Sequence, residues 1–541
     1  MSFEIMDKDL LGRIGKFETK SGKMETPLLF PVINPGIQPI SPKKLKNEFG
    51  CEALITNAYI VNKNFKKIAV EKGLHDFLDF DGSIMTDSGA YQLLIYKGVE
   101  TTPKKIVQFQ EAIDTDIATI LDIPTGWGVS KEYAKYTVTE TIKRAKALEK
   151  MKSRDELAWV GPVQGGQYLD LVAKSAKAMG KLPFQIHALG SPTPVMEQYK
   201  FDVLVDMILT AKMNLPPDRP LHLFGAGHPF MFAMAVALGC DLFDSAAYAL
   251  FARQDRYLTD SGTKRLSELE YFPCSCPVCN NTDPKTVKEL SKDERHRLLA
   301  EHNLHVSFGE LRRIKLAVTE GRLWEHMEMR AYGHPALLQA LKKVKKYSNF
   351  IEKHSPVHKK GGIFLFSSLS LARPEVVRYQ KKLTEYETPR KAKVLLLLPQ
   401  TLKKPFYTSK EHQTILENIQ EKIPDKVDLI HVCTYAAPFG VVPTELDDVY
   451  PVSQNIMASP FDDETITYVA KQTENYIKSS DYKNAVLLRE PKVWKGKILS
   501  ACKRACKKKQ ISLNISHRKD PWNEKTLEEL VNEIQQTLLA I

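Results

Sequence analysis

The sequence predicts an α/β protein with a (β/α)8 TIM barrel that carries a cysteine-rich insertion, followed by a smaller α/β C-terminal domain. Eight short apolar segments recur between residues 26 and 250, and helical stretches separate them. A second, shorter set of apolar segments begins near residue 392. A chain of 541 residues is too long for one hydrophobic core, so two to four domains are expected.

The eight apolar segments are predicted to be the parallel strands of the barrel. Most lead through a Gly, Pro or polar turn into a helical stretch, such as "PKKIVQFQEAI" or "VMEQYKFDVLVDMILTAKM". Near-continuous apolar strands that alternate with helices are typical of a helix-covered parallel sheet, and eight of them favour a closed barrel over a doubly wound sheet. The segments are "TPLLFPV", "EALITNAY", "SIMTDSG", "IATILDIPT", "AWVGPVQGG", "FQIHALGS", "LHLFGAGHP" and "CDLFDSAAY".

Polar residues follow successive predicted strands. In such barrels the C-terminal ends of the strands meet at one face, and that face carries the reactive groups. A single acid at this place is typical of a helix N-cap, but recurrence at several strand ends indicates a site. The residues are Asp87, Asp122, Gln164, the "ALG" of 188–190, the "FGAG" of 224–227 and Asp244.

Three cysteines, Cys274, Cys276 and Cys279, form a C-x-C-x2-C cluster that indicates a metal site more than a disulfide. Zinc takes four ligands in a tetrahedron, so one more is needed. Three thiolates and one imidazole would leave no open position, so the zinc is predicted to be structural; unliganded thiols are the alternative. The "EHNLH" segment is expected near the start of a helix. The nearby candidates for the fourth ligand are His296, His302 and His305.

Composition and charge bound the class of protein. The net charge is +12 and the isoelectric point about 9.0, which suits a polyanionic partner such as RNA but also a solvated basic surface. No run of eighteen apolar residues occurs, and the N-terminus has no apolar signal-peptide core. We therefore expect a cytoplasmic protein with no membrane span.

The C-terminal third predicts a second α/β unit. Its strands are expected at "KVLLLLP", "DLIHVCTY", "AVLLRE" and "ISLNIS". Its helices are expected around 410–423, 463–480, 493–509 and 524–540. The basic run "ACKRACKKKQ" on the third helix is read as a solvated face rather than a phosphate contact.

Seven motifs together resemble the tRNA-guanine transglycosylases, specifically the archaeal, archaeosine-type branch. They cover about residues 10–330 in the order of that family. The motifs are "MTDSGAYQL", "LDIPTG", "VQGG", "HALGSPTPVMEQY", "HLFGAGHP", "DLFDSAAYALFARQDRYLT" and "PCSCPVC…HNL".

The resemblance implies a role for each matching residue. Asp244 matches the nucleophile, and Asp87 matches the general acid/base. Zinc is implied to be held by Cys274, Cys276, Cys279 and His302. The residues implied to recognise or stack on the base are Asp122, Gln164, the backbone of Leu189 and Gly190, Tyr91 and Phe224. Tyr91 stands where archaeal members usually have Phe.

The resemblance also implies an activity. The chain is expected to exchange guanine 15 of the tRNA D-loop for preQ0 (7-cyano-7-deazaguanine), by double displacement through a covalent Asp–tRNA intermediate. Expected partners are tRNA, preQ0 or guanine, a second copy of the chain, and a separately encoded PUA-domain protein, because no PUA-like pattern is found. Basic residues near the site are expected to contact RNA; they are Arg253, Arg256, Arg312, Arg313 and Lys315.

Two alternatives remain. The segment "PQTLKKPFYTSKEH" partly resembles a motif of archaeosine synthase paralogues, with Gln400 and Phe406 in place of Cys and Tyr. A non-catalytic tRNA-binding paralogue is the other. Domains are predicted at 1–345 (catalytic, with the zinc site at about 270–305), 346–390 (connecting) and 391–541 (C-terminal α/β domain of the archaeal transglycosylase/archaeosine synthase type).

Overall fold

A computed structural model of the chain describes residues 2–90, 101–516 and 520–539. It forms two compact units, Met1–Ser355 and Pro356–Ile541. The interval 346–390 contains helix Ser348–His354 of the first unit and helix Pro374–Glu385 of the second. No helix of the described residues is long and apolar enough to cross a membrane.

The first unit contains a closed barrel of eight parallel strands, which confirms the predicted fold class. Seven strands fall within their apolar segments, and the first extends one residue beyond its segment, to Ile33. Side chains two positions apart on these strands, such as Leu28 and Phe30 or Val160 and Ala158, fill the barrel interior. The strands are Leu28–Ile33, Ala53–Asn57, Ser83–Asp87, Ile117–Thr119, Ala158–Val163, Ile186–Leu189, Leu221–Leu223 and Leu242–Ser245.

A three-stranded antiparallel sheet, which the sequence analysis did not predict, closes the N-terminal end of the barrel. Phe17 and Met24 of this sheet are buried and pack with the barrel interior. Arg13 forms a buried ion pair with Asp241, which directly precedes the last barrel strand. The strands are Phe3–Asp9, Gly12–Thr19 and Gly22–Thr26.

Helices cover the outside of the barrel. The helix expected at 195–213 is two helices, and Tyr199 between them has a positive φ of 54°. Its ring stacks on His334 with centroids 5.0 Å apart. The helices are Pro42–Phe49, Ala58–Asn64, Lys66–Lys72, Leu74–Leu78, Pro103–Ala112, Lys131–Ala147, Leu169–Gly180, Thr193–Glu197, Phe201–Lys212, Phe232–Ala237 and Ala247–Arg253.

The cysteine-rich insertion follows the barrel as a hairpin and a set of helices. The expectation that "EHNLH" starts a helix is wrong, because helix Lys292–Glu320 begins ten residues before His302. Ser291 and Glu294 form a capping box that fixes this start. The hairpin strands are Arg256–Thr259 and Gly262–Arg265. The other helices are Pro277–Asn281, Pro284–Glu289, Leu323–Tyr332, Pro335–Val344 and Ser348–His354.

The second unit is built on a five-stranded sheet, as expected for an α/β domain. All four predicted strands and all four predicted helices are present, and a fifth strand, Gly440–Pro443, pairs antiparallel at one edge. The sheet order is Gly440–Pro443, Ile430–Ala436, Val394–Pro399, Asn484–Leu487, Ser512–Ile515. A short pair joins Ile363–Phe364 and Asn455–Ile456. The helices are Pro374–Glu385, Lys410–Lys422, Asp463–Ser479, Pro491–Trp494, Lys497–Lys509 and Glu524–Leu539.

Candidate active site and metal centre

A cavity of about 390 Å³ opens at the C-terminal ends of the barrel strands. Its walls come from most of the strand ends, as the positions of the polar residues predicted. The predicted residues that line it are Asp87, Asp122, Gln164, Gly190, Phe224 and Asp244.

Strand periodicity directs two of the three carboxylates into this cavity. Asp87 lies two positions after Met85, and Asp244 lies two positions after Leu242. Met85 and Leu242 point into the barrel interior, so the acids two positions later point the same way at its upper rim. The 157 residues that separate Asp87 from Asp244 in the sequence are bridged by the closure of the barrel.

Asp244 is held by two donors at one oxygen. Its Oδ1 accepts hydrogen bonds from His222 Nε2 and from the backbone N–H of Gly225, each at 2.9 Å. Gly225 has a φ of 68°, and a Cβ there would lie 2.4 Å from Thr193 Oγ1, so the donating turn requires glycine. The Asp244 side chain is 13% exposed, so the carboxylate is ordered yet accessible from the cavity.

Asp87 is held in a protonation state suited to acid–base chemistry. Burial raises the pKa of Asp87 to about 7, and the charges of Asp122 and Asp244 add to this effect. Backbone N–H groups of Ser88 and Gly89 act in the opposite direction. Asn57 Nδ2 donates to Asp87 Oδ2 at 2.8 Å. The carboxyl group can therefore exchange a proton near neutral pH.

Asp122 and Gln164 form a second polar wall. Gln164 Nε2 donates to Asp122 Oδ2 at 2.6 Å, and Gln164 Oε1 accepts from the Thr125 backbone N–H at 2.8 Å. Burial raises the pKa of Asp122 to about 6, against the opposing effects of the Gln164 hydrogen bond and the Arg144 charge. Gly190 packs on this pair so closely that a Cβ would lie 2.2 Å from Gln164 Nε2.

The other predicted base-binding residues have less direct access to the cavity. Leu189 is fully buried and does not line the cavity, and the Gly190 N–H already donates to Val163 O at 2.9 Å. Phe224 is half-buried at the cavity wall, with its ring 4.6 Å from that of His222. Tyr91 lies outside the described residues.

The sequence analysis missed three residues that position the carboxylates. His222 is buried, stacks on Phe30 with centroids 5.7 Å apart and donates to Asp244. Asn57 holds Asp87, and Arg144 donates to the backbone carbonyls of Leu121 and Asp122 at 3.1 and 3.4 Å. His222 lies in the middle of the "LHLF" run, where a histidine also reads as a core residue.

Within the insertion, the three cysteines lie beside His302. The other two candidate histidines point elsewhere. His296 instead faces the Ala249 carbonyl, and His305 packs on Phe49 with ring centroids 4.6 Å apart. The donor atoms that lie within 4.8 Å of one another belong to Cys274, Cys276, Cys279 and His302. These four residues form a candidate metal centre.

The distances within this cluster fit a tetrahedral ion. Cys276 Sγ and Cys279 Sγ are 3.6 Å apart, and His302 Nδ1 lies 3.5 and 3.3 Å from them. Metal–ligand bonds of about 2.3 Å to sulfur and 2.0 Å to nitrogen give separations of roughly 3.5–3.8 Å in a tetrahedron. His302 Nε2 donates to Leu258 O at 2.8 Å, which leaves the Nδ1 lone pair for a metal.

Comparison with known proteins gives consistent matches. A family model described as queuine tRNA-ribosyltransferase matches residues 8–336, and a domain of unknown function (DUF5591) matches residues 376–534. A protein of Methanocaldococcus jannaschii named tRNA-guanine(15) transglycosylase is 46% identical over 477 residues, which cover 85% of this chain and 69% of the relative. A protein of the same name from Methanosarcina mazei is 44% identical over 462 residues, 85% of this chain and 88% of the relative.

Proposed function

The chain belongs to the queuine tRNA-ribosyltransferase family, and on this premise we propose that it is a tRNA-guanine(15) transglycosylase that inserts preQ0 into the D-loop of tRNA for archaeosine synthesis. The observation that carries the proposal is the meeting of Asp87, Asp122 and Asp244 in one cavity. We place the catalytic domain at 1–345, joined by 346–390 to the C-terminal domain at 391–541.

Asp244 is proposed as the nucleophile. Its Oδ1 is occupied by His222 and Gly225, so Oδ2 is the oxygen available for attack on C1′ of the ribose. The C1′–N9 bond to guanine breaks as the C1′–O bond to Asp244 forms. The incoming base then attacks C1′ and displaces the carboxylate. Two inversions retain the configuration of the sugar, as in retaining glycosidases.

Asp87 is proposed as the general acid/base. With a pKa of about 7, it can be protonated when guanine leaves and so supply the proton that the departing base needs. The resulting carboxylate then accepts the N9 proton of the incoming base. One group therefore serves both half-reactions without a redox cofactor or a nucleotide.

The polar wall is proposed to recognise the guanine edge. Asp122 can accept two N–H donors of a guanine-like edge, and the Gln164 amide can donate to its carbonyl. The backbone of Leu189 and Gly190 is proposed to contact the same edge, and Phe224 and Tyr91 are proposed to stack on the ring. A 7-deazaguanine keeps this edge, so the same wall can accept guanine and preQ0.

The metal centre is proposed to hold one structural zinc ion. The donor set of Cys274, Cys276, Cys279 and His302 suits zinc, and four protein ligands leave no position for substrate. When bound, the ion would tie the cysteine loop to helix Lys292–Glu320, and the His302–Leu258 hydrogen bond links this cluster to the hairpin.

The partner is proposed to be tRNA, bound by a protein of net charge +12 in the cytoplasm. Arg253 lines the mouth of the cavity, and Arg256 lies beside it. Arg313 and Lys315 pair with Glu310 and Glu25. A homodimer and a separate PUA-domain protein complete the proposed assembly.

The decisive experiment is to replace the nucleophile. Wild-type protein incubated with tRNA and no free base is expected to trap a covalent protein–RNA species that survives a denaturing gel. Asp244→Asn removes the attacking charge and should abolish both this species and the incorporation of radiolabelled guanine, while tRNA binding persists. Asp87→Asn should slow exchange by roughly two to four orders of magnitude, the usual scale for a general acid/base.

A matched control separates chemistry from folding. Asp218→Asn makes the same substitution at an exposed residue outside the cavity, and it should exchange guanine at the wild-type rate. Near-normal exchange by Asp244→Asn would contradict the double displacement. Binding of tRNA by the wild type with neither an adduct nor incorporation of any base would instead favour a non-catalytic or synthase-like paralogue.

A further inference from the structure

The mechanism proposed above leaves one polar side chain of the cavity without a role. Thr119 ends the strand Ile117–Thr119 and lines the cavity, and this strand lies between those that lead to Asp87 and Gln164. Ile117 points into the barrel interior, so the Thr119 side chain, two positions later, points the same way at the upper rim. The hydroxyl group therefore faces the space that the mechanism assigns to the base.

The Thr119 hydroxyl is buried and makes no hydrogen bond to any of the described residues. Thr119 is 1% exposed. Threonines nearby do satisfy their hydroxyls: Thr56 donates to Ile33 O at 2.9 Å, and Thr86 donates to Gln110 Oε1 at 2.8 Å. Burial of an unpaired hydroxyl is unfavourable, so a ligand that bonds to it in the cavity recovers that cost.

The backbone of Thr119 is fixed from the outside of the barrel. Gln110, on the covering helix Pro103–Ala112, accepts from the Thr119 N–H and donates to Thr119 O, each at 3.1 Å. The Gln110 oxygen also accepts from the Thr86 hydroxyl on the neighbouring strand. These bonds hold the end of a strand of only three residues, so the Thr119 hydroxyl has a defined position in the cavity.

The order of polar groups around the rim matches the order of atoms around guanine. The parallel register of two neighbouring strands, continued by one residue, sets Asp87 beside Thr119. Asp122 follows three residues after Thr119 and bonds to Gln164, which follows the next strand. Asp87 is proposed to act at N9, Asp122 at N1 and the 2-amino group, and Gln164 at the 6-carbonyl. The part of the base between N9 and N1 carries N3 and the second N–H of the 2-amino group, and it falls to Thr119.

We propose that the Thr119 hydroxyl accepts a hydrogen bond from the second N–H of the 2-amino group and so helps the cavity to select guanine-type bases. This inference rests on the proposed function. Asp122 can accept only one N–H of that group together with N1–H, because the second N–H points towards N3. A base without the 2-amino group leaves the hydroxyl buried and unpaired, and a polar site rejects an analogue in this way.

The test compares guanine with hypoxanthine, which differs from guanine only by the missing 2-amino group. Dissociation constants of both bases are measured by equilibrium dialysis without tRNA. The exchange assay then gives KM for guanine and the inhibition constant of hypoxanthine. Thr119→Val removes the hydroxyl at nearly constant shape, and Thr119→Ser keeps it. Thr473→Val is the control, because Thr473 is a buried threonine of the second unit whose hydroxyl donates to Val469 O at 2.9 Å.

Thr119→Val is expected to weaken the binding of guanine by roughly 2- to 12-fold, the scale of one hydrogen bond, without weakening that of hypoxanthine. The preference for guanine should fall by at least this factor. Thr119→Ser and the control should keep the wild-type preference. Because the hydroxyl has no partner among the described residues, Thr119→Val without base should unfold at the wild-type temperature or above it.

Four results would overturn the inference. They are an equal loss of affinity for both bases in Thr119→Val, an unchanged preference in that variant, a lost preference in Thr119→Ser, and a lower unfolding temperature of Thr119→Val, which would make the hydroxyl structural. Dialysis needs no catalysis, so the inference and the proposed function can fail separately. A wild type that binds guanine selectively but exchanges none in tRNA would contradict only the proposed function.

Discussion

Replacement of Asp87 by Asn is expected to change how the stability of the protein depends on pH. In the folded protein burial raises the pKa of Asp87 from 3.8 to about 7. At 1.36 kcal/mol for each unit of pKa, this difference corresponds to at most about 4 kcal/mol of folding free energy. Asn has nearly the same shape and carries no charge at any pH.

The sign follows from proton binding. Above about pH 4 the unfolded chain loses the Asp87 proton, whereas the folded protein keeps it up to about pH 7. The folded state therefore binds more protons in this interval, and the wild-type free energy of unfolding falls as the pH rises through it. The free energy of unfolding of the Asp87→Asn variant lacks this fall. The variant should therefore gain stability relative to wild type as the pH rises, with no gain near pH 4 and the full gain above pH 7.

The assay is denaturant unfolding of both proteins at half-unit steps between pH 5 and 8.5, read from the transition of the barrel unit. Asp122→Asn is the matched comparison, because burial raises the pKa of Asp122 only to about 6. The gain in free energy of unfolding of Asp122→Asn over wild type should level off one pH unit earlier, at no more than about 3 kcal/mol. A difference between Asp87→Asn and wild type that stays constant with pH would refute the reasoning.

Two further predictions concern the metal and the RNA. Elemental analysis of the wild-type protein should find about one zinc per chain, and Cys276→Ala should lose the metal and unfold at lower temperature; full zinc in that variant would exclude Cys276 as a ligand. Binding of tRNA should weaken steeply as the salt concentration rises. Arg253→Gln should reduce the slope of log K against log salt by about 0.7–0.9, the value for one phosphate contact. A wild-type affinity that does not change with salt would argue against RNA contact by Arg253 and the other basic residues near the site.

The barrel could be predicted because its strands are buried on both faces. Segments such as "TPLLFPV" are then continuous apolar runs, and their number and spacing indicate the closed sheet. The N-terminal sheet was missed because its strands are half-exposed: Phe17 is buried, but Lys16 and Glu18 on either side face solvent. Strand Gly440–Pro443 was missed because Pro438, Gly440 and Pro443 give its segment the composition of a turn.

The carboxylates could be predicted from their positions at strand ends, but the groups that hold them could not. His222 reaches Asp244 because His222 and Leu242 are paired in the parallel register of the last two barrel strands. That register follows from barrel closure, which no local pattern shows. The correct start of helix Lys292–Glu320 was readable, since "SKDE" has the form of a capping box.

The sheet beneath the barrel has a kinetic consequence. Phe17 and Met24 fill the N-terminal end, and buried side chains fill the barrel interior above them in the part of the chain that the structure describes. Under the proposed mechanism, a departing guanine and its replacement therefore use the same opening, at the strand ends, while the ribose is bound to Asp244. Both bases are proposed to bind against the wall formed by Asp122 and Gln164, so outgoing guanine must leave this wall before the new base can bind there. Added guanine should therefore compete with the new base for the cavity. Release of guanine should then limit turnover.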